Sequence, residues 1–224
     1  MSTEQTERSA LRKIAADPVS RRRFFAVTGG AGASAAFLAA CGDDEDSTST
    51  SSTTSSTSTD QSETSQFGEG DLGIVNYALT LEYLEAGFYT AVAGSGLFKG
   101  DDLALIKVIG QHEQEHVDAL VATAKKLGGE PAKEPKATFP LKDAKSVLEL
   151  AATVENLGAA AYLGQAANIE SPDILAAALS IHSVEARHAA VLNSLTGEEP
   201  TPDGGFAKPA DVKTVLDAVQ PFLA

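Results

Sequence analysis

Cysteine is nearly absent from this chain: Cys41 is the only one in 224 residues. A disulfide framework within the chain is therefore excluded. With no C-x-x-C, so are a rubredoxin-type iron, an iron–sulfur cluster and a thiol redox motif. Basic residues are also scarce, since residues 41–224 hold 11 Lys and Arg against 28 Asp and Glu. That imbalance excludes nucleic acid as a partner, because phosphate binding needs basic patches. It suits a soluble surface or the attraction of cations. Large apolar side chains are almost missing from residues 43–66, where 16 of the 20 residues from Ser47 to Gln66 are Ser or Thr. Such a stretch buries too little to offset its ordering entropy, so residues 41–66 read as a disordered tether. Strand-like alternation is missing from the remainder, which is rich in Ala and Leu. What is left, about 67–224, is the size of one domain with a single core.

The first forty residues read as an address. Ser20–Phe25, "SRRRFF", resembles a twin-arginine export signal carried by Arg21 and Arg22. The run Ala26–Leu38 that follows is too short and too rich in Gly and Ala to span a bilayer. It ends in "LAAC", which resembles a lipoprotein cleavage box, and that resemblance implies lipid on Cys41. The expected organisation is a signal over 1–40, the tether over 41–66, a helical bundle over 67–196 and a tail with a short helix over 197–224. The expected location is the outer face of the cell membrane, held by acyl chains.

Four long helices are expected. The first runs from Asp71, as N-cap, to Ala93, and the second from Asp101 to Leu127. The third runs from Asp143 to Ile169, and the fourth from the Ser171-Pro172 cap to Thr196-Gly197. Val212, Val215, Leu216 and Val219 mark a short amphipathic helix that packs back on the bundle. The links within each pair are short, so each pair is an antiparallel hairpin. The middle link has about 15 residues and reaches about 50 Å when extended, enough to cross the length of the bundle.

The two hairpins repeat each other. Residues 109–120, "IGQHEQEHVDAL", and 181–192, "IHSVEARHAAVL", are both I-x3-E-x2-H-x3-L. Residues 80–89 and 153–162 are both T-x-E-x6-Y, giving Glu82 with Tyr89 and Glu155 with Tyr162. In the second helix Ile106, Ile109, Glu113, His116, Leu120, Thr123 and Leu127 follow the 3-4 spacing of a core stripe. In the fourth, Ile174, Ala178, Ile181, Glu185, His188, Leu192 and Leu195 do the same. Four carboxylates at core positions are costly unless paired. Two divalent cations would balance them, with His116 and His188 as neutral donors. A Glu from each of two helices plus Glu-x-x-His from the other two is the ligand set of di-iron and di-manganese bundles.

The same residues overlap a second motif, because Gln111–His116 contains H-E-x-x-H, the helical zinc-peptidase signature. That reading takes His112 and His116 as ligands and Glu113 as base. It leaves Glu82, Glu155, Glu185 and His188 unexplained. His112 lies off the stripe and its repeat counterpart is Val184, so His112, like His182, is expected near the site or at the surface, not as a ligand.

Over about residues 70–196 the pattern resembles the ferritin-like superfamily, especially exported bacterial ferritin-like domain proteins related to desiccation-associated proteins. The resemblance implies an all-α, ferritin-like four-helix bundle with one long crossover between helices two and three. It implies that Glu82 and Glu155 are terminal or bridging carboxylates and that Glu113–His116 and Glu185–His188 are paired half-sites. Tyr89 and Tyr162 would each hydrogen-bond a ligand carboxylate or serve as an oxidisable relay. Glu85, one turn after Glu82, has Gly158 as its counterpart and would stand beside the ligands or on a path to them. The implied cofactors are two Fe or Mn ions, with O2 or peroxide as reaction partner. The expected function is metal-dependent oxidation or oxidative-stress chemistry, such as ferroxidation or peroxide removal. The alternative is a non-catalytic, stress-associated envelope protein that sequesters metal or binds a partner. A second copy of the chain remains an open partner, although a tether and a tail helix argue against a sealed storage cage.

Overall fold

A computed structural model describes residues 64–224. The export signal with Arg21 and Arg22, the lipidation site Cys41 and the tether up to residue 63 lie outside the described residues. Thr64, within the stretch read as tether, is buried, and Ser65–Phe67 forms a 3-10 turn whose Phe67 ring packs 5.7 Å from Tyr77.

The main elements are α1 (Gly70–Gly94), α2 (Gly100–Lys126), α3 (Ala144–Gln165), α4 (Pro172–Thr196) and a short α5 (Val212–Val219). Among the described residues no strand forms; a single antiparallel bridge joins Ala137 to Leu223. The fold is a ferritin-like helical bundle with a short C-terminal helix. Among the described residues no helix is long and apolar enough to cross a membrane.

Local chemistry sets the ends. The Asp143 side chain accepts from the Ser146 N–H, and Ser171 accepts from the Ile174 N–H with Pro172 in the first turn. Gly197 closes α4 in the left-handed conformation, at φ 85°. Asp71 corrects the expectation, because α1 starts at Gly70 and Asp71 falls inside its first turn. Its carboxylate instead accepts from the N–H groups of Glu170 and Ser171, at 2.8 and 2.9 Å, and so ties the entrance of α4 to the start of α1. Helix α3 also stops earlier than expected, giving way at Ala166 to a 3-10 turn that ends at Asn168.

Helix α1 packs along α2, and α3 along α4, while α1 and α3 meet over a short stretch only. The crossover fills part of that opening. Buried Asn76 holds its start: the side-chain amide donates to the Glu130 carbonyl at 3.1 Å and accepts from the Ala132 N–H at 2.8 Å. Farther along, Phe139 packs edge-on to Phe88, with ring centroids 5.4 Å apart. Asn76 and Phe88 are about 18 Å apart along α1 at the helical rise, so the crossover does run along the bundle. The tail covers the rest. Val212, Val215 and Val219 bury against Tyr77, Leu81, Leu84 and Ala161. Just before α5, the Ala210 N–H donates to the Ala160 carbonyl at 3.0 Å. Only a glycine fits at 164, where a Cβ would lie 2.0 Å from the Ala210 oxygen.

The expected seams drift at their ends. Leu127 is 40% and Leu195 48% exposed, while Ala124 and Asn193 are buried in their place. A strict 3.5-residue repeat rotates by about 20° per heptad relative to a 3.6-residue helix. The stripe therefore holds around the middle of each helix and leaves the core two turns away.

Candidate metal centre

The middle of the bundle is where the stripes face each other, and its side chains are acidic. Glu82, Glu113, Glu155 and Glu185 are all at 0% exposure, and His116 and His188 are buried with them. Ligand atoms of Glu82, Glu113, His116 and Glu185 lie within 4.8 Å of one another, as do those of Glu113, Glu155, Glu185 and His188. Glu113 and Glu185 belong to both groups. Glu82 and Glu155 each belong to one group only, at opposite ends of the cluster.

The contacts inside the cluster leave more acceptors than donors. His116 Nδ1 lies 3.0 Å from Glu113 Oε2, 3.1 Å from Glu185 Oε1 and 3.3 Å from Glu82 Oε2. One N–H serves one acceptor well, so it cannot satisfy three. Both oxygens of Glu185 are buried without a hydrogen bond, although Oε1 stands at ion-pair distance from that imidazole. His188 Nδ1 similarly faces Glu113 Oε1 at 3.0 Å and Glu155 Oε2 at 3.1 Å. Orphaned carboxylate oxygens converging with two imidazole nitrogens could hold cations and are poorly satisfied by one another.

The tyrosines aim these two end carboxylates, Glu82 and Glu155. Tyr162 on α3 donates to Glu82 Oε1 on α1 at 2.6 Å, and Tyr89 on α1 donates to Glu155 Oε1 on α3 at 2.5 Å. In each carboxylate the Tyr holds Oε1 and leaves Oε2 facing the cluster. The crossed pairing also shows that α1 and α3 run antiparallel. Glu85 is 3% exposed and stands beside Glu185, in the space that Gly158 leaves by lacking a side chain.

Proton affinities follow from this crowding. Burial pushes the Glu82 carboxyl up to about 7. Burial, then the neighbouring Glu185, raises Glu85 well above the usual carboxylate range. Burial also raises Glu155, and raises Glu185 well above its usual range. Burial opposes ionisation of Glu113 as well, but hydrogen bonds from His116 and His188 outweigh it and hold the group near about 2. Burial lowers His116 and His188, yet the surrounding carboxylates prevail and push them up to about 12 and about 9. Both tyrosine hydroxyls are raised well above 10 by burial and then by the carboxylate each one bonds. Any cation that enters must displace protons from this set.

His112 is not in either ligand group. Its Nδ1 instead meets His188 Nε2, on the side away from the carboxylates, at 2.9 Å. The two ring planes lie within 9° of parallel. The peptidase arrangement, with His112 and His116 on one ion, is therefore not formed, and Glu113 is a member of the cluster. His182 is half-buried, with Nδ1 3.0 Å from the Ala159 carbonyl oxygen of α3. Periodicity along α2 places His112 beside the stripe but does not reveal that it reaches across to α4; the one available signal is its position a turn before His116.

An apolar pocket adjoins one half of the cluster. It opens between the starts of α1 and α4 and the ends of α2 and α3, lined by Ile74, Ala78, Leu120, Ile174 and Ile181, and Tyr162 forms part of its wall.

The model of a family described as "Ferritin-like domain" matches residues 70–198. That span holds all four long helices, all six cluster residues and His112. Among proteins of curated function, none matches the chain.

Proposed function

Because the chain belongs to the ferritin-like domain family, we infer that Glu82, Glu113, His116, Glu155, Glu185 and His188 hold two divalent cations, iron or manganese. One observation carries this reading: two groups of ligand atoms, each compact enough for one ion, share Glu113 and Glu185. The donor set of carboxylate and imidazole suits Fe and Mn and offers no thiolate. Four ionised carboxylates would balance two divalent charges, and the imidazoles would bind as neutral donors. Bound there, the two ions supply reversible electron transfer and a binding place for O2 or peroxide.

The chain's own residues support oxidation chemistry over sequestration. The four carboxylates are fully buried and the two histidines nearly so, which suits a resident cofactor more than an exchanging store. The pocket beside Tyr162 is lined mainly by apolar groups. A small uncharged oxidant crosses such a lining at low cost, whereas a hydrated cation does not. Tyr89 and Tyr162 orient the terminal carboxylates, and their high proton affinity keeps the hydroxyls as donors.

The proposal extends to location. The twin Arg21-Arg22, the apolar run and Cys41 support export and attachment to the outer face of the membrane through lipid. The deciding experiment is elemental analysis of the purified protein, followed by turnover of peroxide and of Fe(II). About two Fe or Mn per chain with turnover of either substrate supports the reading. Two ions with no turnover leaves the sequestering alternative, and a single zinc rejects the di-metal centre.

A further inference from the structure

The repeat makes the two halves of the cluster near-copies, and position 112 breaks that symmetry. Both histidines of the cluster present Nδ1 to the carboxylates. Ligation through Nδ1 leaves the imidazole proton on Nε2. For His188 that proton has an acceptor, His112 Nδ1 at 2.9 Å, and His112 then carries its own proton on Nε2. In the repeat the counterpart of His112 on α4 is Val184, a half-buried residue without an acceptor atom. No group among the described residues accepts from His116 Nε2. One ligand imidazole is thus held from behind and the other is not.

We propose that His112 is a positioning residue that makes the two metal positions unequal, so that the position built on Glu155 and His188 fills first and binds more tightly. The inference rests on the di-metal reading above. Its physical basis is the bond behind the ligand. An acceptor on the distal N–H fixes the ring orientation and tautomer and strengthens the donor nitrogen. The position built on Glu82 and His116 has no such support and lies on the side of the apolar pocket. The tighter ion would act as the anchor, and the looser one would sit nearer the route by which a small reactant arrives.

The test is a titration of the demetallated full-length protein with Mn(II) alone, following free Mn(II) by its electron paramagnetic resonance signal. The wild type should bind in two steps of different affinity. His112→Leu should weaken the first step by about 10–100-fold, the usual effect of losing such a partner, and leave the second unchanged. His112→Gln keeps an acceptor oxygen and should recover most of the loss, which a merely structural role for the ring would not predict. Val184→His supplies the missing acceptor behind His116 and should strengthen the second step. The inference is overturned if both wild-type steps are equal, if His112→Leu changes neither, or if the Gln and Leu variants are equally impaired. Should the Leu variant fail to fold, an unchanged second step in Val184→His overturns it instead. A wild type that binds no Mn(II) rejects the di-metal reading itself, a result distinct from two ions bound with equal affinity.

Discussion

Glu85 and Gly158 fit each other: a Cβ at residue 158 would lie 2.8 Å from Glu85 Oε1 and 3.0 Å from Glu185 Oε2. A glycine of α3 thus stands where two buried carboxyl groups need room. Gly158→Ala should therefore press Glu85 onto Glu185. Overpacking of this kind costs about 1–3 kcal/mol, against a helix-propensity gain of about 1 kcal/mol for Ala over Gly. The expected net result is a lower denaturation midpoint in urea together with weaker Mn(II) binding. A variant that is stabilised and binds metal normally would show that the space is not needed.

Sharing of Glu113 and Glu185 separates the ligands into two classes. Glu113→Ala or Glu185→Ala should remove both ions. Glu82→Ala or Glu155→Ala should leave about one ion per chain, since one group keeps its full set. Metal analysis after dialysis checks this. Equal loss from all four variants would contradict the division into shared and terminal carboxylates.

The demetallated protein should lose stability as pH rises from about 5 to about 9. Glu82 moves from 4.5 up to about 7, mainly through burial. A group raised in the folded state stabilises fully below its unfolded value and loses that contribution as pH passes the folded one. His188, raised from 6.5 to about 9 by its carboxylate partners against the effect of burial, adds the same sign in the upper part of the window. Glu113, held near about 2 by both histidines, has the opposite sign but acts only below about pH 4.5. Saturating Mn(II) should reverse the trend, because it competes with these protons. Thermal melts at pH 5, 7 and 8.5, with and without Mn(II), measure both slopes. A demetallated form that gains stability towards pH 8.5 would be inconsistent with protonated carboxyls in the core.

On the proposed export and lipidation, Cys41→Ser should move the protein from the membrane fraction to the soluble fraction. An acyl anchor is the only attachment proposed, and none of the described helices can span a bilayer. Unchanged sedimentation with membranes counts against lipid on Cys41.

The members of the buried cluster were legible in the sequence because charged residues fell where a helix seam calls for apolar ones. Glu113 and His116 interrupt an Ile–Leu stripe, and the same interruption returns 72 residues later. A helix period carries no information about partners on other elements. His112 is therefore placed beside the seam, while its bond to His188 appears only when α2 and α4 are side by side. Asn76 is hidden for the same reason, as its partners are carbonyl and amide groups of the crossover. Leu195 was expected in the core, but there the helix has rotated, and Asn193 faces inward to accept from Asn156 at 2.8 Å. Long-range polar ties of this kind leave no periodic trace.

The crossed bonds from Tyr162 to Glu82 and from Tyr89 to Glu155 make each hairpin the complement of the other. Two separate hairpins of this pattern would assemble nearly the same centre only at concentrations that favour pairing. Joining them through the crossover makes the encounter intramolecular. It also releases the halves from identity. In a symmetric pair, a histidine at 112 would bring another at 184; in one chain, evolution can place it on one side alone.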